Sequence, residues 1–193
     1  MRRGTFRGAA GFALALFIII AGTAGATVMI REDLDTLTRQ SDVIIRGKVT
    51  RMASRWTADH RRIVTDVDIE VSESLKGASA TVVRVTQPGG EVGDIGQRVS
   101  GLAVFSPGEE VVVFLQRRPG EGYAVEGLAQ GKFRVERSSD GTRAFAVPEP
   151  TGDALVLDPA TRQPIQPESH VRELEDLRRE VRAALKADRK RSP

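Results

Sequence analysis

The 193-residue chain has 40% hydrophobic and 28% charged residues, a globular composition that excludes an intrinsically disordered protein. It has no cysteine, which excludes disulfides, cysteine nucleophiles, thiolate metal sites and a lipid-modified cysteine. The net charge is +3, and residues 1–26 hold three arginines and no acid, so the rest of the chain is balanced. A nucleic-acid partner, which would need a net basic face, is therefore not indicated.

The N-terminal segment Met1–Ala26 predicts a secretory signal peptide. Its arginines precede an apolar stretch, and an Ala-x-Ala cleavage site lies directly before Thr27. The alternative is an uncleaved anchor, because apolar residues continue as far as Ile30. We favour cleavage and expect a periplasmic or secreted protein, which contacts a membrane only if this segment stays uncleaved.

The first elements after the leader are a short helix and a strand. Arg31–Gln40 has two leucines three residues apart, which predicts a helix that ends at Ser41. Val43–Met52 then alternates apolar and polar residues and predicts the first long strand. Gly47 in its middle predicts a bulge or a bend.

The stretch Ile63–Gly77 keeps a two-residue period for about fifteen residues, which is long for a strand. Such a ribbon buries one face and leaves the other in water. We therefore expect Val67 and Ile69 in the core, and Asp66 and Asp68 on the solvent side.

The remaining strands are short and separated by turn residues. We expect them over Ala80–Gln87, Val111–Leu115, Tyr123–Leu128, Lys132–Arg137 and Arg143–Val147. The continuous apolar run Val111–Leu115 predicts a strand covered on both faces. Two connections stand out: polar Ala53–Arg62, and Pro88–Gly101, whose five glycines predict a loop with at most a short strand near Arg98–Ser100.

The last third of the chain changes character. Pro148–Pro167 contains five prolines and no period, so we expect a linker or an irregular wrap. A helical period begins at Glu168, with Pro167 suited to the first helical position. The apolar stripe of this helix comprises Val171, Leu174, Leu177, Val181 and Leu185.

These elements predict a mainly β protein: a small OB-like β-barrel with a C-terminal α-helix. The expected organisation is a signal peptide over 1–26, a barrel domain with a short N-terminal helix over 27–147, a linker over 148–167, and a helix with a basic tail over 168–193. A closed or partly open barrel would hide the edges that short strands otherwise expose.

A family resemblance spans Asp33 to Val147. It is carried by the ordered motifs Ser41-Asp42, Gly47-Lys48-Val49, Leu75-Lys76-Gly77, Gln87-Pro88-Gly89-Gly90, Gly108-Glu109-Glu110-Val111-Val112-Val113-Phe114-Leu115 and Leu128-Ala129-Gln130-Gly131-Lys132-Phe133. In these the chain resembles a group of exported bacterial proteins of unassigned function, some of which accompany matrixin-like metalloproteases. More distantly it resembles netrin-like domains, the OB-type barrels that include tissue inhibitors of metalloproteinases.

The resemblance implies an OB-type barrel and a binding role, with an exported metalloprotease as one possible partner. It does not carry over the inhibitor mechanism, because those inhibitors present an N-terminal cysteine to the catalytic zinc and this chain has no cysteine. No inhibitory residue is therefore transferred to a position of this chain.

The polar residues predict no catalytic, metal or cofactor site. The only histidines, His60 and His170, lie on different elements without ligand spacing. Asp66, Asp68 and Glu70 would form a wet strand face rather than a calcium loop. The glycine-rich segment lacks the Lys-Ser/Thr pair of a phosphate-binding loop.

Two stretches are candidates for partner binding. Trp56 lies among arginines that include Arg55 and Arg61, and it would form either an exposed contact patch or a packed cap over one barrel end. The second candidate is the glycine-rich segment, represented by Gly89, Gly90 and Gly93.

We therefore expect an exported, non-enzymatic binding or accessory module with an unidentified protein partner. Two alternatives stay open: an inhibitor or chaperone of a co-exported metalloprotease, and a hydrolase whose site the sequence does not reveal. Few histidines and no matched pair of carboxylates count against the hydrolase.

The first testable prediction concerns export. Because the Ala-x-Ala boundary follows a basic and apolar leader, the native protein should begin at or near Thr27. Mass spectrometry of protein from the cell envelope and the culture medium measures this directly. An intact Met1 in a membrane fraction would instead support the anchor.

Overall fold

The computed structural model describes residues 27–77, 80–120, 122–166 and 170–191, so the predicted signal peptide lies outside the described residues. In chain order the elements are β1 (Val28–Ile30), α1 (Leu34–Gln40), β2 (Val43–Trp56), β3 (Ile63–Lys76), β4 (Val82–Pro88), β5 (Gly90–Val92), β6 (Ile95–Gln97), β7 (Glu110–Arg118), β8 (Gly122–Val125), a 3₁₀ turn (Leu128–Gly131), β9 (Lys132–Arg137), β10 (Ala144–Pro148), β11 (Leu155–Leu157), β12 (Pro164–Ile165), β13 (Arg172–Glu173) and α2 (Leu174–Arg191). The protein is mainly β with a C-terminal helix, which confirms the predicted class.

The strand pairings form a ring at the centre of the largest sheet. Its order is β13-β10-β9-β7-β2-β3-β4-β8, and β7 also pairs with β8. This extra pairing links β2, β3, β4, β8 and β7 into a closed ring of five strands. The ring is weakest where β4 meets β8, because Val85 and Tyr123 form the single pair described there.

The β2–β3 hairpin is the longest pairing, with 14 residues in each strand. Val67 and Ile69 are fully buried on its inner face, which confirms the predicted register. Asp66 and Asp68 lie on the other face, where arginines partly cover them.

Gly47 sits at an irregularity of this hairpin, as predicted. The register shifts between Arg46 and Gly47. A Cβ atom at Gly47 would lie 2.3 Å from the carbonyl oxygen of Glu70. Only glycine allows the two backbones to approach so closely.

Two predicted loops contain more strand than expected. Ala53–Arg62 was predicted to be a connection, but β2 continues to Trp56 because cross-strand pairing persists to the Trp56–Ile63 pair. Within Pro88–Gly101 the structure has the β5–β6 hairpin, and the short strand expected near Arg98–Ser100 is absent.

Two hydrophobic cores lie on opposite faces of the central strands. The core inside the ring includes Val43, Ile45, Val49, Val67, Ile69, Val83, Val85, Ala103, Phe105, Val111, Val113 and Leu115. The second core lies under the helices and includes Leu37, Ile44, Val112, Phe114, Phe133, Val135, Ala146, Leu174, Leu177 and Val181. Alternate residues of the run Val111–Leu115 enter the two cores, so the prediction that both faces of this strand are covered is confirmed.

The C-terminal helix docks on the second core through its predicted stripe. Leu174, Leu177 and Val181 are buried and Leu185 is partly buried. The prediction was wrong for Val171, which precedes the helix and is 56% exposed. The helix begins later than Glu168, and the first position expected at Pro167 lies outside the described residues.

The proline-rich segment packs as an irregular wrap with short strands. β11 pairs in parallel with β1, and β12 pairs with β11. This small sheet ties the residues that follow the predicted cleavage site to a segment late in the chain.

The second prediction concerns the docked helix. Leu177→Ala removes a fully buried side chain and should lower the free energy of unfolding by about 2–5 kcal/mol. Val171→Ala is the matched control, and its exposed side chain predicts a change within about 0.5 kcal/mol. Urea unfolding of both variants measures the difference, and equal effects would contradict the docked helix.

Candidate binding cleft

A cleft of about 460 Å³ opens at one end of the ring. Its floor includes Met52 of β2 and Thr65 of β3. The walls come from Gln87–Glu91, from the stretch between Gly96 and Phe105, and from Pro150–Asp153. The predicted glycine-rich segment therefore supplies much of the wall of this cleft.

The glycine-rich wall is anchored to the beginning of β3 by hydrogen bonds. The Gly89 N–H donates to the Ile63 carbonyl at 2.8 Å, and the Thr65 hydroxyl donates to the Gly89 carbonyl at 2.7 Å. The Ile63 N–H donates to Oε1 of Gln97 at 3.0 Å. These bonds give the wall a defined position, as recognition requires.

Gly90 is needed where this wall crosses the floor. Its φ is 129°, and a Cβ there would lie 2.3 Å from the hydroxyl oxygens of both Ser54 and Thr65. Gly89 also lines the cleft, whereas Gly93 lies in the turn between β5 and β6 and is outside the lining. The structure thus places two of the three predicted glycines at the cleft.

A second wall is the extended segment Leu102–Phe105. Ala103 and Phe105 are buried in the ring core, whereas Val104 between them is 65% exposed. The Gln87 amide donates to the Ala103 carbonyl at 2.9 Å and braces this segment against the end of β4. The alternation of buried and exposed side chains in this segment resembles that of a strand, although the segment pairs with no described strand.

Lys132 holds this second wall from behind and is 1% exposed. Its ammonium lies 2.9 Å from Glu109 and 3.0 Å from Glu149, and it donates to the Val104 carbonyl. The ammonium also lies 4.9 Å from the centre of the Phe105 ring. Sequence reasoning missed this cluster because its members are far apart in the chain and no local pattern marks them.

The predicted contact patch around Trp56 is divided between two faces. Trp56 is opposite Ile63 and lies on the inner face of β2, outside the cleft lining. Arg55 lies on the outer face and is paired with Asp66 at 2.7 Å. The Arg61 side chain is 84% exposed in the connecting turn.

The predicted acidic face carries arginine partners. Arg84 hydrogen-bonds Asp68 and holds its pKa below the ordinary value. Burial raises the pKa of Asp66, but bonds from Arg55 and Thr86 outweigh burial and leave it lowered. In the described part of the chain, no group of three or more metal-ligating side chains comes together.

A partly buried carboxyl lies away from the cleft, at Glu32. Burial raises its pKa, and the neighbouring charges of Glu126 and Asp33 raise it further. Its Oε2 has no hydrogen-bond partner among the described residues. No sequence pattern marks this group, because Glu32 and Glu126 meet only through the tertiary fold.

Comparison with known proteins adds no assignment to this geometry: no protein-family model matches the chain, and no curated protein matches it. In the described ranges, neither helix is long and apolar enough to cross a membrane. The cleft itself is therefore the basis for a functional proposal.

The third prediction concerns Lys132. Lys132→Met leaves two buried carboxylates without their cation, and should lower the free energy of unfolding by about 3–5 kcal/mol. Lys48→Met, at an exposed position of β2, should change it by about 0.5 kcal/mol or less. Chemical denaturation compares the two, and a loss below about 1 kcal/mol for Lys132→Met would contradict its bracing role.

Proposed function

We propose that this protein is an exported, non-enzymatic module that binds a partner protein in the cleft at the end of its strand ring. The proposed fold is an OB-like barrel of the netrin type. The ring of five strands supports this, as does the predicted netrin-like resemblance. Export is supported by the basic and apolar leader before Thr27.

The observation that carries the proposal is the construction of the cleft. Its size suits a ligand or a short stretch of polypeptide. One wall depends on close-packed Gly90, and the other on a segment braced by buried Lys132. A concave surface with two positioned walls and an exposed apolar side chain, Val104, is typical of recognition.

The charges around the cleft favour binding over catalysis. The charged residues that line it are Glu91, Arg98 and Asp153, all exposed and of mixed sign. A catalytic acid or base usually lies in partly enclosed surroundings, whereas these three side chains are open to water. A polypeptide segment whose side chains inside the cleft are uncharged suits such a lining.

The fourth prediction tests binding at the cleft. Val104→Arg places a long charged side chain at the cleft wall without removing a buried group. The tagged protein, produced in its own host, is used to capture partners from the culture medium and the envelope extract. Recovery with Val104→Arg should fall by about tenfold relative to the unaltered protein.

The matched control is Val171→Arg, at a similarly exposed valine outside the cleft lining. It should recover the same proteins as the unaltered chain. Equal melting temperatures establish that neither variant is unfolded. Full recovery with Val104→Arg would contradict binding in the cleft.

A further inference from the structure

The second half of β2 forms an edge of the sheet, because among the described residues it pairs with a strand on one side only. β2 pairs with β3 along its whole length, but with β7 only from Val43 to Lys48. Val49 still exchanges hydrogen bonds with the turn that precedes β7. From Arg51 to Trp56, no described strand pairs with the side of β2 away from β3.

The hydrogen bonds of Ile63 show which main-chain groups face this edge. Its N–H donates to Gln97 and its carbonyl accepts from Gly89, so both groups point toward β4. Trp56, the partner of Ile63 on β2, is therefore in a non-hydrogen-bonded pair, and its own N–H and carbonyl point away from β3. By the alternation of a strand, the main-chain groups of Ser54 and Met52 point the same way.

This edge adjoins the cleft, since Met52 belongs to both. A strand added beside Met52, Ser54 and Trp56 would complete their hydrogen bonds. Its alternate side chains would point to the inner face, where the cleft lies. Strand addition to an exposed edge combines main-chain affinity with side-chain pockets in this way.

The charge near the edge indicates the kind of strand. The segment from Arg51 to Arg62 holds four arginines and one acidic residue, Asp59. Arg55 is paired with Asp66, and Arg61 lies 3.9 Å from Asp59, so the other two arginines carry the excess positive charge. Arg51 and Arg62 are exposed. Like charges would oppose the pairing of two copies of this chain edge to edge, whereas an acidic strand would be attracted.

We propose that the free edge of β2 binds an extended, acidic segment of a partner protein by strand addition. The segment pairs with Met52, Ser54 and Trp56, and its inward side chains enter the cleft. This inference rests on the proposed function and specifies the chemistry of the partner.

The fifth prediction uses a random linear peptide library displayed on phage and panned on the full exported chain. Enriched peptides should be acidic and extended. Synthetic versions should lose about tenfold in affinity when N-methyl groups block alternate amides, and little when the intervening amides are blocked. Fluorescence polarisation measures both sets.

Two pairs of variants then locate the binding edge. Ser54→Pro removes the outward N–H, whereas Ser54→Ala loses the same hydroxyl and keeps the N–H. Only the proline variant should lower peptide affinity, by about tenfold. Arg51→Glu should lower it at low salt, whereas Arg118→Glu, at the far end of β7, should not.

Three outcomes would overturn the inference: no enriched peptide, affinity insensitive to N-methylation, or equal affinity of the Ser54→Pro and Ser54→Ala variants. If Ser54→Pro does not fold, the N-methylated peptides and the arginine variants test whether the peptide pairs with the edge of β2. If a partner protein is captured and its recovery depends on Val104, but no linear peptide binds, the proposed function stands and strand addition is refuted.

Discussion

The pairing of β2 with β3 is the constraint on which the rest of the structure depends. Their backbones approach so closely at Gly47 that a side chain there would collide with Glu70. Along the paired strands, alternation divides the residues between the ring interior and the outer face. The ring core and the floor of the cleft follow from that division, and the free edge begins where pairing with β7 ends.

Opposite charges serve two different purposes in this fold. On the outer face, Arg84 pairs with Asp68 in contact with water, and such exposed pairs contribute little to stability. Lys132 is instead enclosed between two carboxylates, and removal of one partner there leaves an uncompensated buried charge. The exposed pairs keep a long hairpin soluble, whereas the buried cluster fixes the wall beside Val104.

Strand periodicity predicted most of the sheet, because a strand with one buried face alternates apolar and polar residues in the sequence. Val67 and Ile69 were placed correctly for this reason, and so was the doubly covered run of β7. The end of β2 was missed because Ser54 and Arg55 are polar, as loop residues usually are. Their partners, Thr65 and Asp66, are supplied by the neighbouring strand.

The candidate site was predictable only in part. A glycine-rich composition marked Gly89 and Gly90 as candidates for partner binding, but the second wall of the cleft has no distinctive composition. Lys132 meets Glu109 and Glu149 only after three separate segments have assembled. Trp56 and Arg55 were predicted to share one contact patch because they are neighbours in the chain. In the structure they occupy opposite faces of one strand.

The parallel pairing of β1 with β11 has a consequence for the order of assembly. The two strands lie near opposite ends of the described chain, and the Thr27 carbonyl accepts a hydrogen bond from Leu155. Such a distant contact forms late, because the loop between its partners must first close. β1 therefore has no strand partner until Leu157 has been synthesised, and the small sheet of β1, β11 and β12 closes only after all strands of the ring are available to pair.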